Sequence, residues 1–504
     1  MTPNSRELAL AIDLGTTSVK TAAIDLDGNC QGLDVAEYSL IEPRPGFVEA
    51  DPSVFWESLP RAISAVLDRA SASPSRVRAI SLSSQGQTFL CLDDHSKPLS
   101  NAFVWLDSRA LDESRELLSR FGRETFYRHT GGPTVFPGWT ASLLLWLRNH
   151  EAALFRKASR FSLLRDYIAL RACGCAVLDE TGAVSSGLYS IPDRRWWPDV
   201  LSFLDLDPRR LPDVTPSGTR IGTLTPDAAD FLGLSANTPL VAGAWDQVAA
   251  AVGSANLAPG FVTETTGTAL AVAATTEGVL FDPKARLLTI PHASAGKGII
   301  LPFAPTSGIV LKWFRENLSP PNTSYDDLTA AAASSPVGAR GLLFIPHFEG
   351  TASPDFNPAV SGAIAGLRLH HSRADLTRAL LESLAFVLRE LLDVVKDLHV
   401  SPRRVTSLGG GAKSALLCQI KADVLGLPVQ TLAFPEAALL GAAMLAFTGV
   451  GLFDDLPSAA RAMVRPARLF EPDPANRGLY EETYSRYRSL FTRLYPAPDK
   501  EKSP

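Results

Sequence analysis

Apolar and polar positions along this chain switch between a period of two and a period near 3.6. The first forty residues carry three short apolar runs, 8–12, 19–25 and 33–40, and predict three strands. The first two flank Leu14-Gly15-Thr16-Thr17-Ser18, so AIDLGTTSVKTAAIDLDG predicts a hairpin. Its turn is longer than the two-residue Asn-Gly kind. Residues 51–70 set Phe55, Leu59, Ile63, Val66 and Leu67 near helical spacing and predict a helix. VRAISLSS (77–84) predicts a buried strand with a polar end, and TFLCLDD (88–94) and NAFVWLD (101–107) two more. Residues 141–175 read as mostly helical, and 187–235, rich in Pro, Asp and Gly, as irregular. TPLVAGAWDQVAAAVGSA (238–255) is a strand running into a helix of small residues.

The opening pattern then returns. FVTETTGTALAVAAT (261–275) is again strand, glycine turn with hydroxyls, and strand, about 250 positions after the first. Two such hairpins, each opening a domain-sized segment, suggest a duplicated architecture. From 372 helix and strand alternate. SRADLTRALLESLAFVLRELLDVVKDLH is a long amphipathic helix capped by Ser372 with Asp375 three positions on. RVTSLGGG is a strand ending in glycines, KSALLCQIKADVLG a helix stopped by Gly426, LPVQTL a strand and PEAALLGAAMLAFTG a helix. The class is α/β, with a glycine turn at a strand's carboxyl end, where such sheets bind ligands. Residues after about 470 are charged and Pro-bearing and read as a fraying tail.

At 504 residues the chain is too long for one core and calls for at least two domains. A net charge of −5 gives no basic footprint for nucleic acid or anionic membrane. No apolar run reaches membrane-spanning length and no signal peptide is visible, so a cytoplasmic protein is expected. The five scattered cysteines agree with a reducing compartment, and Cys173-Gly-Cys175 lacks the spacing and the partner pair of a zinc site.

Three glycine turns carry candidate chemistry: Gly15-Thr16-Thr17-Ser18, Thr266-Gly267-Thr268 and Gly409-Gly410-Gly411-Ala412-Lys413-Ser414. Bare backbone admits close approach, successive N–H groups form an anion hollow, and hydroxyls add donors. Any one of them alone is equally an ordinary turn. Asp13 beside the first turn suits a divalent cation bridging it to a phosphate. Neither a P-loop nor the protein-kinase signature set occurs. Asp246 follows a buried strand and opens a helix. It could cap that helix, or accept a proton from a substrate hydroxyl. Gln85 and Gln87 in SLSSQGQT could read sugar hydroxyls or serve as turn polar groups.

Together these stretches resemble the FGGY family of carbohydrate kinases, within the superfamily of actin, hexokinase and the chaperone ATPases. The resemblance rests on AIDLGTTSVK, VWLDSR, PGWTASLLLW, VAGAWDQVAAAVG, TTGTA, RALLESLAF and GGGAKSALLCQIKADVLGLPV followed by EAALLGAA, in the family's order across most of 8–447. It implies an α/β fold of two ribonuclease-H-like (actin/hexokinase-type) domains with an interdomain cleft that closes over the sugar. The expected boundaries are an N-terminal domain at 1–254, a C-terminal domain at 255–470 and a tail at 471–504. It implies ATP and Mg2+ as cofactors and phosphoryl transfer to a hydroxyl of a small sugar. Asp13 would lie by the metal, and Thr16, Thr17 and Ser18 would hold phosphates from the N-terminal side. Gly267 and Thr268 would hold them from the C-terminal side, while Gly410, Gly411, Ala412 and Ser414 would line the adenosine pocket. Asp246 matches the family's general base, with Gln85 and Gln87 beside the sugar.

Within the family the chain is most similar to the xylulose kinases, which implies a ketopentose such as D-xylulose as acceptor. Other ketoses or polyols are the alternative. Xylulose kinases usually read GQMHG and glycerol kinases NQRET where this chain reads SQGQT, so its sugar-reading corner is altered at Gly86 and Gln87. EGTASPDFNP also departs from the usual GERxP turn. A non-catalytic sensor on the same fold would be expected to lose Asp13 or Asp246, and an actin- or chaperone-like ATPase would need surfaces for protein partners that no appended segment supplies. The expected partner is a small sugar, with no nucleic acid and no membrane. A homodimer is the assembly considered, though the sequence does not fix it.

Overall fold

The computed structural model describes residues 7–496, which form two compact α/β units. Within those residues the first unit runs to Ala258 and takes in Thr275–Ile299 and Glu436–Arg465; the second holds Pro259–Ala274, Ile300–Pro435 and the chain from Pro466. The boundary placed at 254/255 by sequence lies next to the first crossing. The chain then returns to the first unit twice. Among the described residues no helix is long and apolar enough to cross a membrane.

The first unit is built on a six-stranded sheet. β1 (Leu8–Leu14) and β2 (Ser18–Asp25) form the predicted hairpin, and β3 (Cys30–Glu37) extends it. β4 (Val77–Ser84) lies parallel to β1, β5 (Arg220–Thr223) is an antiparallel edge, and β6 (Pro239–Trp245) lies parallel to β4. The order is β5-β6-β4-β1-β2-β3. Six of the seven β1 residues are buried, the exception being Asp13. That near-continuous apolar run is what a central parallel strand covered by helices requires.

Three departures from the sequence reading have local causes. Residues 51–70 split into a 3-10 turn at Pro52–Phe55 and α1 (Leu59–Arg69), because Pro60 falls in the first turn, where a missing N–H costs nothing. Within 141–175, Arg160–Leu163 is a strand paired with Phe89–Leu92, and α2 (Leu164–Cys173) follows it directly. The expected tail instead carries an 18-residue helix, Arg477–Leu494, after the edge strand Pro466–Phe470. Tyr480, Tyr484, Tyr487 and Phe491 recur there at helical spacing, and Tyr480 and Tyr487 are buried in the second unit's core.

The second unit repeats the first unit's device. β7 (Phe261–Thr266) and β8 (Leu270–Glu277) form a hairpin, and β9 (Arg404–Leu408) lies parallel to β7. β10 (Val429–Leu432) lies parallel to β9, and β11 (Pro466–Phe470) closes the edge. In both units a parallel strand sits beside the first strand of a hairpin, which gives the duplication seen in the glycine turns a topological basis. The long helix Arg373–Lys396 starts with the predicted Ser372–Asp375 capping box. It packs in one apolar cluster with Phe314, Leu417, Ile420 and Tyr480.

In the first unit, α3 (Asp246–Gly253) crosses the helix Ala437–Gly449 at close range. A Cβ on Gly441 would lie 1.9 Å from the Ala249 carbonyl oxygen, and one on Gly253 1.9 Å from that of Ala437. Small residues are therefore a steric requirement for seating the helix that carries Asp246. Gly441→Ala would raise intrinsic helix propensity, yet overpacking dominates here, and the variant is expected to lose about 1–3 kcal/mol. A lower midpoint in urea unfolding confirms this; an unchanged or higher midpoint refutes it.

Candidate functional site

The first unit's site is assembled by strand register. Asp13 of β1 faces Ser83 of β4, and Ser83 faces Ala244 of β6. Asp13 and Asp246 therefore leave the sheet at nearly one level, on strands that flank β4. Asp246 is the first residue of α3 and does not cap it; Trp245 occupies the cap position, and Asp246 Oδ1 accepts from the Gln247 backbone N–H at 2.6 Å. Burial lifts the Asp246 carboxyl to about 7, with the Asp13 charge adding to the rise and the Gln247 N–H and Arg165 opposing it. Burial also raises Asp13, with the Ser83 hydroxyl and then Lys20 offsetting part of the effect. Lys20, opposite Asp13 in the hairpin, is itself paired to Glu436 at 2.6 Å. Among the described residues the enclosed Asp13 Oδ1 has no hydrogen-bond partner. A buried acceptor without a partner is costly, and a hydrated cation would satisfy it.

The turn after β1 is tightly braced. Gly15 N–H donates to the Ser18 carbonyl, and the Gly15 carbonyl accepts from Tyr38 Oη at 2.6 Å and Gln85 Nε2 at 3.1 Å. The Trp105 indole donates to Thr16 Oγ1 at 3.0 Å. Thr17 is exposed, with Thr16 and Ser18 half-buried on either side. Gln85 is thus committed to the hairpin, its oxygen accepting from Thr88. Gln87 is buried in the left-handed region (φ 59°). Its backbone N–H donates to Ser185 Oγ and its carbonyl accepts from Thr140, while no hydrogen bond engages its amide among the described residues. A Cβ on the neighbouring Gly86 would meet the Trp245 ring at 2.9 Å, so a side chain there requires the indole to move.

Arg165, on α2, was not singled out from the sequence. It is buried and donates to Asp179 Oδ2 and to Ser84 Oγ, each at 2.5 Å, and its charge lowers both Asp13 and Asp246. One terminal nitrogen, Nη2, has no hydrogen-bond partner among the described residues. Asp179 also accepts from Thr181, whose hydroxyl oxygen accepts from the Trp245 N–H just ahead of Asp246. In the sequence it is one of three arginines in RFSLLRDYIALR, with nothing to set it apart.

The second unit holds a cavity of about 620 Å³, lined in part by Thr266, Gly267, Thr268, Gly410, Gly411 and Ser414. Lys312, Lys413, Tyr325 and Asp326 also border it, whereas Ala412 is not among its lining residues. Gly410–Lys413 is a 3-10 turn, and Ser414 caps the helix Ala415–Leu425 by accepting from the Leu417 N–H. The turn after β7 is fixed by the Gly308 and Ser307 N–H groups, which donate to the Gly267 and Thr268 carbonyls.

The electrostatics predict a titration. In the ligand-free protein Asp246 takes up its proton near pH 7, and Asp13→Asn, by deleting a nearby negative charge, shifts that midpoint downward. Infrared difference titration of the carboxyl band, assigned by loss in Asp246→Asn, measures it. A midpoint in the ordinary carboxylate range contradicts the account.

Residues 8–253 match the N-terminal domain, and 303–450 the C-terminal domain, of the FGGY family of carbohydrate kinases. A protein named xylulose kinase from Staphylococcus epidermidis is 28% identical over 498 residues, covering 96% of this chain and 97% of its own. One named L-xylulose/3-keto-L-gulonate kinase from Escherichia coli is 28% identical over 492 residues, covering 96% and 97%. The crystal structure of xylulose kinase from Rhodospirillum rubrum superimposes with a TM-score of 0.90 at 29% identity, over 97% of this chain and 99% of that one. With both family domains matched in order along a two-domain α/β chain, this protein belongs to the FGGY family of carbohydrate kinases.

Proposed function

We propose that this sugar kinase transfers the γ-phosphate of ATP to a hydroxyl of a ketopentose, with Asp246 as the general base. The observation that carries the reading is the strand register that brings the half-buried Asp246 to the level of Asp13 and the turn after β1; its carboxyl, lifted to about 7, suits a base at neutral pH. Asp246 takes the proton of the attacking hydroxyl. The Thr16, Thr17 and Ser18 hydroxyls and adjacent N–H groups bind phosphate oxygens, as do Gly267 and Thr268. Gly410, Gly411 and Ser414 hold the adenosine against bare backbone, with Ala412 behind them. Gln87, with its amide uncommitted, offers both a donor and acceptors to the sugar. Gln85 acts by holding the Gly15 turn.

Asp13 would hold Mg2+. Among the described residues no group of three or more His, Cys, Asp or Glu forms a metal cage. One carboxylate suits an ion that keeps waters and phosphate oxygens as its other ligands. When bound, the ion supplies neutralisation of phosphate charge.

The relatives named xylulose kinase match nearly the whole chain, which supports a ketopentose acceptor. The Gly86–Gln87 corner is where selectivity among ketoses would be set. A coupled ADP-release assay with Mg-ATP across D-xylulose, L-xylulose, the ribuloses, other ketoses and glycerol tests the reading. Strong turnover is expected on a ketopentose, and Asp246→Asn is expected to lower kcat by about 10²–10⁴ with a small change in sugar KM. Activity retained in Asp246→Asn contradicts the base assignment; turnover confined to a polyol contradicts the acceptor.

A further inference from the structure

Beneath the second unit's cavity lies a closed set of four buried polar side chains. Lys421 Nζ donates to Glu264 Oε1 at 2.5 Å, to Thr266 Oγ1 at 2.9 Å and to Ser407 Oγ at 3.3 Å. Thr266 Oγ1 donates to Glu264 Oε2 at 2.7 Å, and the Ser407 hydroxyl donates to Glu264 Oε1. Relative exposures are 0% for Glu264, 1% for Ser407 and Lys421, and 3% for Thr266. All three ammonium protons and both carboxylate oxygens are used, so the network is satisfied internally.

The four residues come from three places that the pocket depends on. Glu264 and Thr266 belong to β7, which leads into the Gly267-Thr268 turn. Ser407 lies on β9, two residues before Gly409, and faces Glu264 in the strand register. Lys421 lies on the helix that Ser414 caps. Thr266 is also the floor of the glycine turn. A Cβ on Gly411 would lie 2.5 Å from Thr266 Cβ, and one on Gly409 2.9 Å from the Thr266 carbonyl oxygen. Gly409 holds φ 72°, which favours glycine independently. The two turns that line the cavity therefore meet at one threonine, whose hydroxyl the ion pair clamps.

We propose that Glu264 and Lys421 are positioning residues for nucleotide. Their buried ion pair fixes the spacing between the 266–268 turn and the 409–414 turn, and with it the shape of the phosphate and adenosine contacts. This rests on reading the cavity as the nucleotide pocket. Packing alone does not call for charge, since an apolar pair of similar volume is often as stable. What the ion pair adds is a single geometry, because each of its hydrogen bonds fixes one partner in one orientation.

The test uses the whole enzyme. Glu264→Gln with Lys421→Met removes both charges together and leaves no lone buried ion. ADP affinity by calorimetry, KM for ATP, KM for sugar and the thermal midpoint are measured beside the wild type. The expected result is an ADP Kd and ATP KM raised about tenfold, with sugar KM unchanged and a midpoint close to wild type. A folded double variant with wild-type ADP Kd and ATP KM overturns the proposal. Should the double variant not fold, Thr266→Val is the second probe. It is nearly isosteric and keeps both charges while removing the hydroxyl through which they hold the turns, so the same selective loss of nucleotide affinity is expected and an unchanged ADP Kd overturns the proposal. A wild type that binds no ADP overturns the pocket reading itself, and this inference with it.

Discussion

The feature on which the first unit's site depends is the shared level at which three parallel strands end. Register sets Asp13, Ser83 and Ala244 side by side, so two carboxylates leave the sheet together and share one electrostatic environment. Water is partly excluded there, the Asp13 charge disfavours ionisation of Asp246, Glu436 does the same to Asp13, and Arg165 partly compensates both. A carboxyl poised near neutrality is the outcome. No loop could place it as reproducibly, since loops lack the ladder of backbone hydrogen bonds that locks register.

The second unit uses the same strand arrangement for a different purpose. Its hairpin and adjacent parallel strand carry glycines and hydroxyls toward the cavity. The buried ion pair below replaces what the helix crossing at Gly253 and Gly441 does in the first unit, which is to hold a helix start in place. Steric intimacy serves one unit and a saturated polar network the other.

Much of this was legible in sequence because it is local. Both hairpins, the helix capped by Ser372 and the strand leading to Asp246 follow from hydrophobic period and turn chemistry. The candidate site residues stand out because glycine, hydroxyl and carboxylate cluster at strand ends. Contacts that join distant segments were not legible. Arg165 reaches Ser84 and Asp179 only once three segments are packed. Lys421 sits in what reads as an apolar helix, and its partner Glu264 is 157 positions away. The returns of 275–299 and 436–465 to the first unit are set by packing that no short window contains. The terminal helix was misread because charged residues outnumber the tyrosines that anchor it.

The central claim is phosphoryl transfer to a sugar oxygen with Asp246 as base, and 31P NMR of the enzyme with Mg-ATP and D-xylulose tests it most directly. The account predicts a phosphate-ester resonance growing in step with ADP and absent with Asp246→Asn. Growth of inorganic phosphate alone, at a rate indifferent to sugar, would contradict it.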